Sequence, residues 1–292
     1  MKRSTILIIP AIFLLAACSG NNNASRIYNG RVDTDIVRLS AQVNGIIDTL
    51  MVEEGEAVQK GQVLAVINSD RIRAQLRQQE AQLDELNVNL NTLNAQIRQV
   101  ESQFKFTRDT FEKTKVMVSE GAATEQKRDE LSTQVDVLQA QSDALRSNFQ
   151  IIASKKAQLA AGMDLTRIAL RDSRILSPLN GVVINKLLNE NELAAAGRVV
   201  LELADLSVME VIMYAPHEDL NRVKIGSEAK IRIDGMTETM TGKVKWISSE
   251  SEFTPKTILT EETRTTLVYA VKLTVPNPNG ILKIGMPVDV EI

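Results

Sequence analysis

The chain has 292 residues, of which 34 are basic and 37 acidic, and only 3% are aromatic. Charges of both signs are spread along it with no basic stripe to hold phosphates, which argues against nucleic-acid binding, and the scarcity of aromatics argues against a large aromatic core. One cysteine, Cys18, and one histidine, His217, leave neither an internal disulfide nor a His/Cys cluster for zinc, so metal catalysis is not expected.

The amino terminus accounts for the cysteine. Lys2 and Arg3 precede an apolar run over residues 6–15 that is too short to span a bilayer, and Leu15-Ala16-Ala17-Cys18 follows directly. This motif resembles a bacterial lipobox. Residues 1–17 then read as a signal peptide and 18–25, with Gly20 and Asn21-Asn22-Asn23, as a flexible tether. The resemblance implies diacylglycerol in thioether linkage at Cys18 and an acylated amine. Two or three chains, at about 0.8 kcal/mol per buried CH2, anchor stably where one does not. No second apolar stretch approaches about 18 residues, so the mature chain is expected on a membrane surface without a span.

Residues 26–40 are expected to add an amino-terminal strand to a carboxy-terminal barrel. Residues 41–69 and 173–204 read as twin halves of one small sandwich, because their texts match. Asn44-Gly45-Ile46-Ile47 leads through Gly55 to Gly61-Gln62-Val63-Leu64, and Asn180-Gly181-Val182-Val183 leads through Asn191 to Gly197-Arg198-Val199-Val200. Both copies are β-branched and glycine-punctuated, which predicts short strands with tight turns at Gly45, Gly61, Gly181 and Gly197. Neither half can bury its apolar face alone.

Residues 70–172 lie between the halves. Steps of alternately four and three run from Ile72 to Val118 through Leu83, Leu86, Leu90, Leu93 and Ile97. A second run goes from Leu131 to Leu170 through Leu138, Leu145, Phe149, Ile152 and Leu159. A 3.5-residue apolar repeat held over five to six heptads is a coiled-coil seam. Between the runs Gly121 can take positive φ and Thr124 can cap a second helix, so the two helices fold back antiparallel with a tip at about 117–124. At 1.5 Å per residue the arm is about 70 Å long. Lys156, on the seam, reads as an edge or register residue.

From residue 205 to 292 the text turns to strands, expected at 208–215, 229–233, 242–248, 267–275 and 288–292 with a short helix at 217–223, forming a small antiparallel barrel. Val244 and Trp246 alternate against Lys243 and Lys245, which places Trp246 in the barrel core or rim. His217, between Pro216 and Glu218-Asp219, reads as a solvated helix-start residue.

The order of lipobox, half-sandwich, long hairpin, half-sandwich and barrel resembles the HlyD family of periplasmic adaptors, or membrane fusion proteins. So does the wording Gly55-Glu56-Ala57-Val58-Gln59-Lys60-Gly61 and Ile175-Leu176-Ser177-Pro178-Leu179-Asn180-Gly181. The implied fold mixes α and β: a lipoyl-like barrel-sandwich hybrid split by a long antiparallel coiled-coil hairpin, then a small β-barrel. The implied function is a non-enzymatic coupler in a multicomponent export system, standing as a ring of usually six copies between an inner-membrane transporter and a TolC-like outer-membrane channel. Glu252-Phe253-Thr254-Pro255-Lys256-Thr257 and Val275-Pro276-Asn277-Pro278 resemble the subgroup that serves ABC-type exporters. The chain's end at the barrel, without the membrane-proximal domain of many drug-efflux adaptors, points the same way. The family's tip pattern of Arg, three residues, Leu, six residues, Ser falls here on Lys113, Met117 and Thr124, a departure at every position.

The alternatives are a lipoprotein coiled-coil scaffold without a transporter, an adaptor of a proton-driven RND pump, and a lipoyl or biotinyl carrier. The carrier needs a lysine at the junction of its halves, where Asn68-Ser69-Asp70 stands instead. No cofactor beyond the lipid at Cys18 is expected. Ser19 lacks the aspartate that holds enteric lipoproteins at the inner membrane, which leaves the outer membrane open as the site of the anchor.

Overall fold

The computed structural model describes residues 26–253 and 267–292; Cys18, its tether and Thr254-Pro255-Lys256-Thr257 lie outside the described residues. The chain divides into two units, Ile36–Asp205 and the combination of Met1–Asp35 with Leu206–Ile292. That division corrects the single strand expected over residues 26–40. β1 (Ile27–Asp33) ends where the Thr34 N–H turns back onto Asp33 Oδ1, and β2 (Ile36–Ser40) starts anew in a different sheet.

In the first unit β2 is followed by β3 (Gly45–Leu50), β4 (Ala57–Val58) and β5 (Val63–Ile67), then by α1 (Asp70–Ser119) and α2 (Glu125–Asp172). The chain returns through β6 (Arg174–Leu176), β7 (Gly181–Lys186), β8 (Leu193–Ala194) and β9 (Val199–Ala204). Two four-stranded sheets result, β2-β9-β7-β4 and β6-β5-β3-β8, so each sheet draws strands from both halves of the text. Ile47, Leu64, Ile67, Leu201 and Leu203 are fully buried between them.

The repeat in the sequence reappears as a repeat in hydrogen bonding. Gly61 N–H donates to Ser177 O at 2.7 Å, and Gly197 N–H to Ala41 O at 2.8 Å. Lys60 N–H donates to Asn180 Oδ1 at 2.9 Å and Ala196 N–H to Asn44 Oδ1 at 2.8 Å, which explains the asparagine in both Asn-Gly pairs. Gly61 and Gly197 stand at φ of 85° and 88° in turns. Gly55 has φ 84°, and its counterpart Asn191, at 66°, is the one non-glycine residue with positive φ among the described residues.

Gly45 and Gly181 differ from expectation: they open strands β3 and β7 and are not at turns. Their reason is space. A Cβ on Gly45 would lie 2.6 Å from Ile67 Cγ2, and one on Gly181 would overlap the Ala204 carbonyl oxygen.

The second unit is a closed six-stranded antiparallel barrel. It contains β1, β10 (Val208–Pro216), β11 (Glu228–Arg232), β12 (Thr239–Ile247), β14 (Leu267–Pro276) and β15 (Pro287–Glu291); β13 (Glu252–Phe253) lies along β14 beyond β12. Closure is the β10–β14 pairing, in which Val211 faces Leu273 and Met213 faces Val271, all fully buried. The helix expected at 217–223 is a single 3-10 turn, His217–Asp219, continued by i→i+3 bonds from Arg222 N–H to Asp219 O and Val223 N–H to Leu220 O. Trp246 is 44% exposed, because a bulge between Val244 and Trp246 breaks the alternation and turns it outward. Asn277 is buried and clamps the chain, its side chain bonding Leu206 O, Leu282 O and Leu282 N–H; Val275-Pro276-Asn277-Pro278 therefore has a structural reason to be there.

Candidate functional site

Helix α1 has 50 residues and α2 has 48. At 1.5 Å per residue each is about 75 Å long, far beyond an ordinary globular helix. Burial follows the four-three spacing throughout: every seam position from Ile72 to Val118 and from Leu131 to Leu170 is buried or half-buried. Leu93 and Leu138 are buried, while Leu83, Leu86, Leu90, Ile97, Leu145, Phe149, Ile152 and Leu159 are half-buried. Half-burial is what a seam of two helices allows, since each side chain is covered by one partner only. Arg146 reaches across to Glu101 at 2.6 Å. Gln79 is the seam's irregular member: its Oε1 is buried with no hydrogen-bond partner among the described residues.

The tip is closed from both sides. Ala122 N–H donates to Met117 O at 2.8 Å and Gly121 N–H to Val118 O at 3.0 Å, with Gly121 at φ 76°, the Schellman arrangement that ends a helix. Thr124 is the N-cap of α2, its side-chain oxygen accepting from Lys127 N–H at 3.3 Å. Of the three tip residues singled out from sequence, Lys113 and Met117 lie on the last two turns of α1 and Thr124 on the cap of α2; all three are exposed, as is Val116 beside them. The end of the rod thus presents Val116 and Met117 to solvent beside the exposed charges of Lys113, Lys115 and Glu120.

At the foot of the hairpin a groove of about 740 Å3 has an apolar floor that includes Met51, Val63, Val66 and Leu170, with Arg73, Arg167, Arg171 and Arg174 around it. In the barrel Glu210 accepts from Lys245 at 2.6 Å and Lys272 at 3.3 Å; the Lys245 bond leads in holding its carboxyl below the usual carboxylate range. Arg26 meets buried Asp219 at 2.8 Å, and burial, aided by Asp219, pushes the Tyr28 hydroxyl up to about 12. Sequence reading missed both clusters. The one local signal was Glu210, an acid inside the apolar run Val208–Pro216. Among the described residues no group of His, Cys, Asp and Glu is placed to hold a metal, and no helix is long and apolar enough to cross a membrane.

The family described as CzcB-like, barrel-sandwich hybrid domain matches residues 35–205, more than half of the chain. The chain belongs to the CzcB-like barrel-sandwich hybrid family. Among relatives of this CzcB-like chain, a UPF0194 membrane protein of Acidithiobacillus ferridurans is 27% identical over all of it and 95% of its own length. One from Enterobacter sp. (strain 638) is 26% identical, covering all of this chain and 98% of its own. MacA from Actinobacillus actinomycetemcomitans superposes with a TM-score of 0.61 at 21% identity, over 92% of this chain and 78% of that one. The membrane fusion protein Spr0693 from Streptococcus pneumoniae R6 also gives 0.61, at 19% identity over 91% and 97%. The fold of this CzcB-like chain is thus that of membrane fusion proteins, as the HlyD-type resemblance implied.

Proposed function

We propose that this chain is the periplasmic adaptor of a multicomponent exporter. In this reading it is held to a membrane by lipid at Cys18 and couples an inner-membrane transporter of the ABC type to a TolC-like outer-membrane channel through a ring of copies, doing no chemistry of its own. The observation that carries the proposal is the hairpin: a two-helix rod whose feet, β5 and β6, are hydrogen-bonded neighbours in one sandwich. A strand pair bonded at the base gives the rod a fixed root. Its exposed tip at Lys113, Met117 and Thr124 then offers a contact to a distant partner.

The test places aspartates at Leu90 and Leu93. Charges in the seam open the rod, so export is expected to stop while the transporter alone keeps its ATPase activity. Export that survives removes the rod as the coupling element. At the tip, Met117→Asp is expected to leave folding intact and reduce crosslinking to the outer-membrane channel; unchanged crosslinking removes the tip contact. Globomycin-sensitive incorporation of labelled palmitate tests the anchor at Cys18.

A further inference from the structure

The groove at the foot of the hairpin joins two surfaces of opposite character. Its floor is the outer face of the sheet β6-β5-β3-β8, where Val63 faces Leu176 and Val66 faces Arg174. Met51 follows β3, its N–H on Leu64 O at 2.8 Å. The outer face of a solvated sandwich is expected to be polar, yet Met51 and Leu176 are 52% and 44% exposed and both valines are half-buried. The wall is the root of the rod. Leu170 and Arg171 lie three and four residues after Arg167, on one face of α2, and Arg73 stands beside the start of α1.

Four guanidinium groups thus surround an apolar floor, and no acid is among the lining residues. Arg167 pairs with Asp164 at 2.9 Å and Arg171 with Asp172 at 3.0 Å, and neither acid lines the groove. Arg73 and Arg174 have no ion-pair partner among the described residues. The dipole of α2 favours bases near its last turn, which accounts for Arg167 and Arg171. It gives no reason for Arg174, on a strand, or for Arg73, at a helix start where acids are favoured. Unpaired cations beside uncovered apolar surface fit an occupant that carries both an anion and hydrocarbon.

We propose that this groove binds a single-chain anionic amphiphile, its hydrocarbon on the floor and its oxyanion head, carboxylate or phosphate, held by the arginine rim with Arg73 and Arg174 foremost. The inference goes beyond the adaptor reading and does not depend on it. The volume of about 740 Å3 falls within the range of small-ligand sites, about 300–1,000 Å3. A peptide segment is the other natural occupant of an apolar groove, but its backbone needs acceptors as well as donors. The rim side chains offer donors only. Ser173, the one other polar side chain in the lining, already donates its hydroxyl to Leu170 O at 2.7 Å. An amphiphile needs nothing more than the rim supplies, because its single polar end is an acceptor.

The test uses the full chain in phosphatidylcholine nanodiscs, without transporter or channel, irradiated in the presence of palmitic acid that carries a mid-chain diazirine. Label is expected at Met51, Val63 or Val66. Arg73→Gln and Arg174→Gln together should reduce it about tenfold, as should an excess of dodecanoate or dodecyl phosphate. Arg98→Gln, the same change elsewhere on α1, and an excess of dodecyltrimethylammonium should leave it unchanged. Label scattered along the hairpin, an undiminished signal in the double variant, or equal competition by the cation overturns the site. Competition by a peptide of Leu and Glu that neither anionic detergent matches overturns the amphiphile and gives the groove to an acidic segment. Export is not read, so the outcome here and the outcome for the adaptor reading stay separate.

Discussion

The sandwich and the hairpin, both within residues 36–205, hold themselves together in opposite ways. In the sandwich individual atoms decide: Gly181 has no room for one more carbon, Asn180 and Asn44 each hold a particular N–H, and Asn191 takes a backbone conformation that most residues avoid. In the hairpin only spacing decides. Its seam tolerates Leu, Ile, Val, Phe, Thr, Ser and even Lys156, because a half-exposed position asks for apolar character on average and not for a given shape. A doubled sheet with a closed core therefore resists substitution at points, while a rod resists it only along a stripe.

The largest effect that would break this contrast is Gly181→Val. A side chain that overlaps the Ala204 carbonyl should cost about 4 kcal/mol or more and leave little folded protein, read by thermal unfolding. Next, Leu201→Ala in the sealed core should cost about 3–5 kcal/mol and Leu93→Ala in the seam about 2 kcal/mol, measured by urea denaturation. Equal costs would mean that the seam is packed as tightly as the sandwich. Gln79→Leu runs the other way. Removing a buried, unpartnered carbonyl should stabilise the hairpin by about 1 kcal/mol. Thr124→Ala removes the cap of α2 and should cost about 1 kcal/mol, seen as faster hydrogen exchange at Lys127 without a change in the sandwich.

The smallest effect extends the comparison to the barrel. Glu210 is held below its ordinary value of 4.5 by Lys245, so its contribution to stability is present above about pH 4.5 and is lost as pH falls through the lowered value. Lys245→Met should flatten that acid limb by lowering the unfolding midpoint at neutral pH, with the value at low pH little changed.

The hairpin was legible from sequence nearly to the residue, because a 3.5-residue period sustained over two runs admits few other structures and Gly121 and Thr124 mark the turn. The sandwich was legible as a repeat, yet Gly45 and Gly181 were assigned to turns. In sequence a glycine needed for its φ and one needed for its bareness look alike, and only the neighbours at Ile67 and Ala204 separate them. The barrel was readable as strands, but two details escaped. The bulge that turns Trp246 outward leaves the alternating text unchanged, and the break at Thr34 is too short to interrupt a run of β-forming residues. Glu210 and Asp219 gained their partners through pairings distant in the chain, which no local window contains. For Lys113, Met117 and Thr124 the sequence supplied candidates by resemblance alone; the structure adds that all three are solvated at one end of the rod.

Four of the six strand pairings in the sandwich, β2–β9, β3–β8, β4–β7 and β5–β6, join a strand from before the hairpin to one from after it. The interlacing makes the peptide bonds at Glu120–Gly121–Ala122 dispensable for integrity. A protease site placed there would sever the backbone at the far end of the arm, yet the two pieces would stay clasped at the root and travel as one particle until denatured. The tip is thus the place to cut this molecule in two, label each piece separately, and still have the whole.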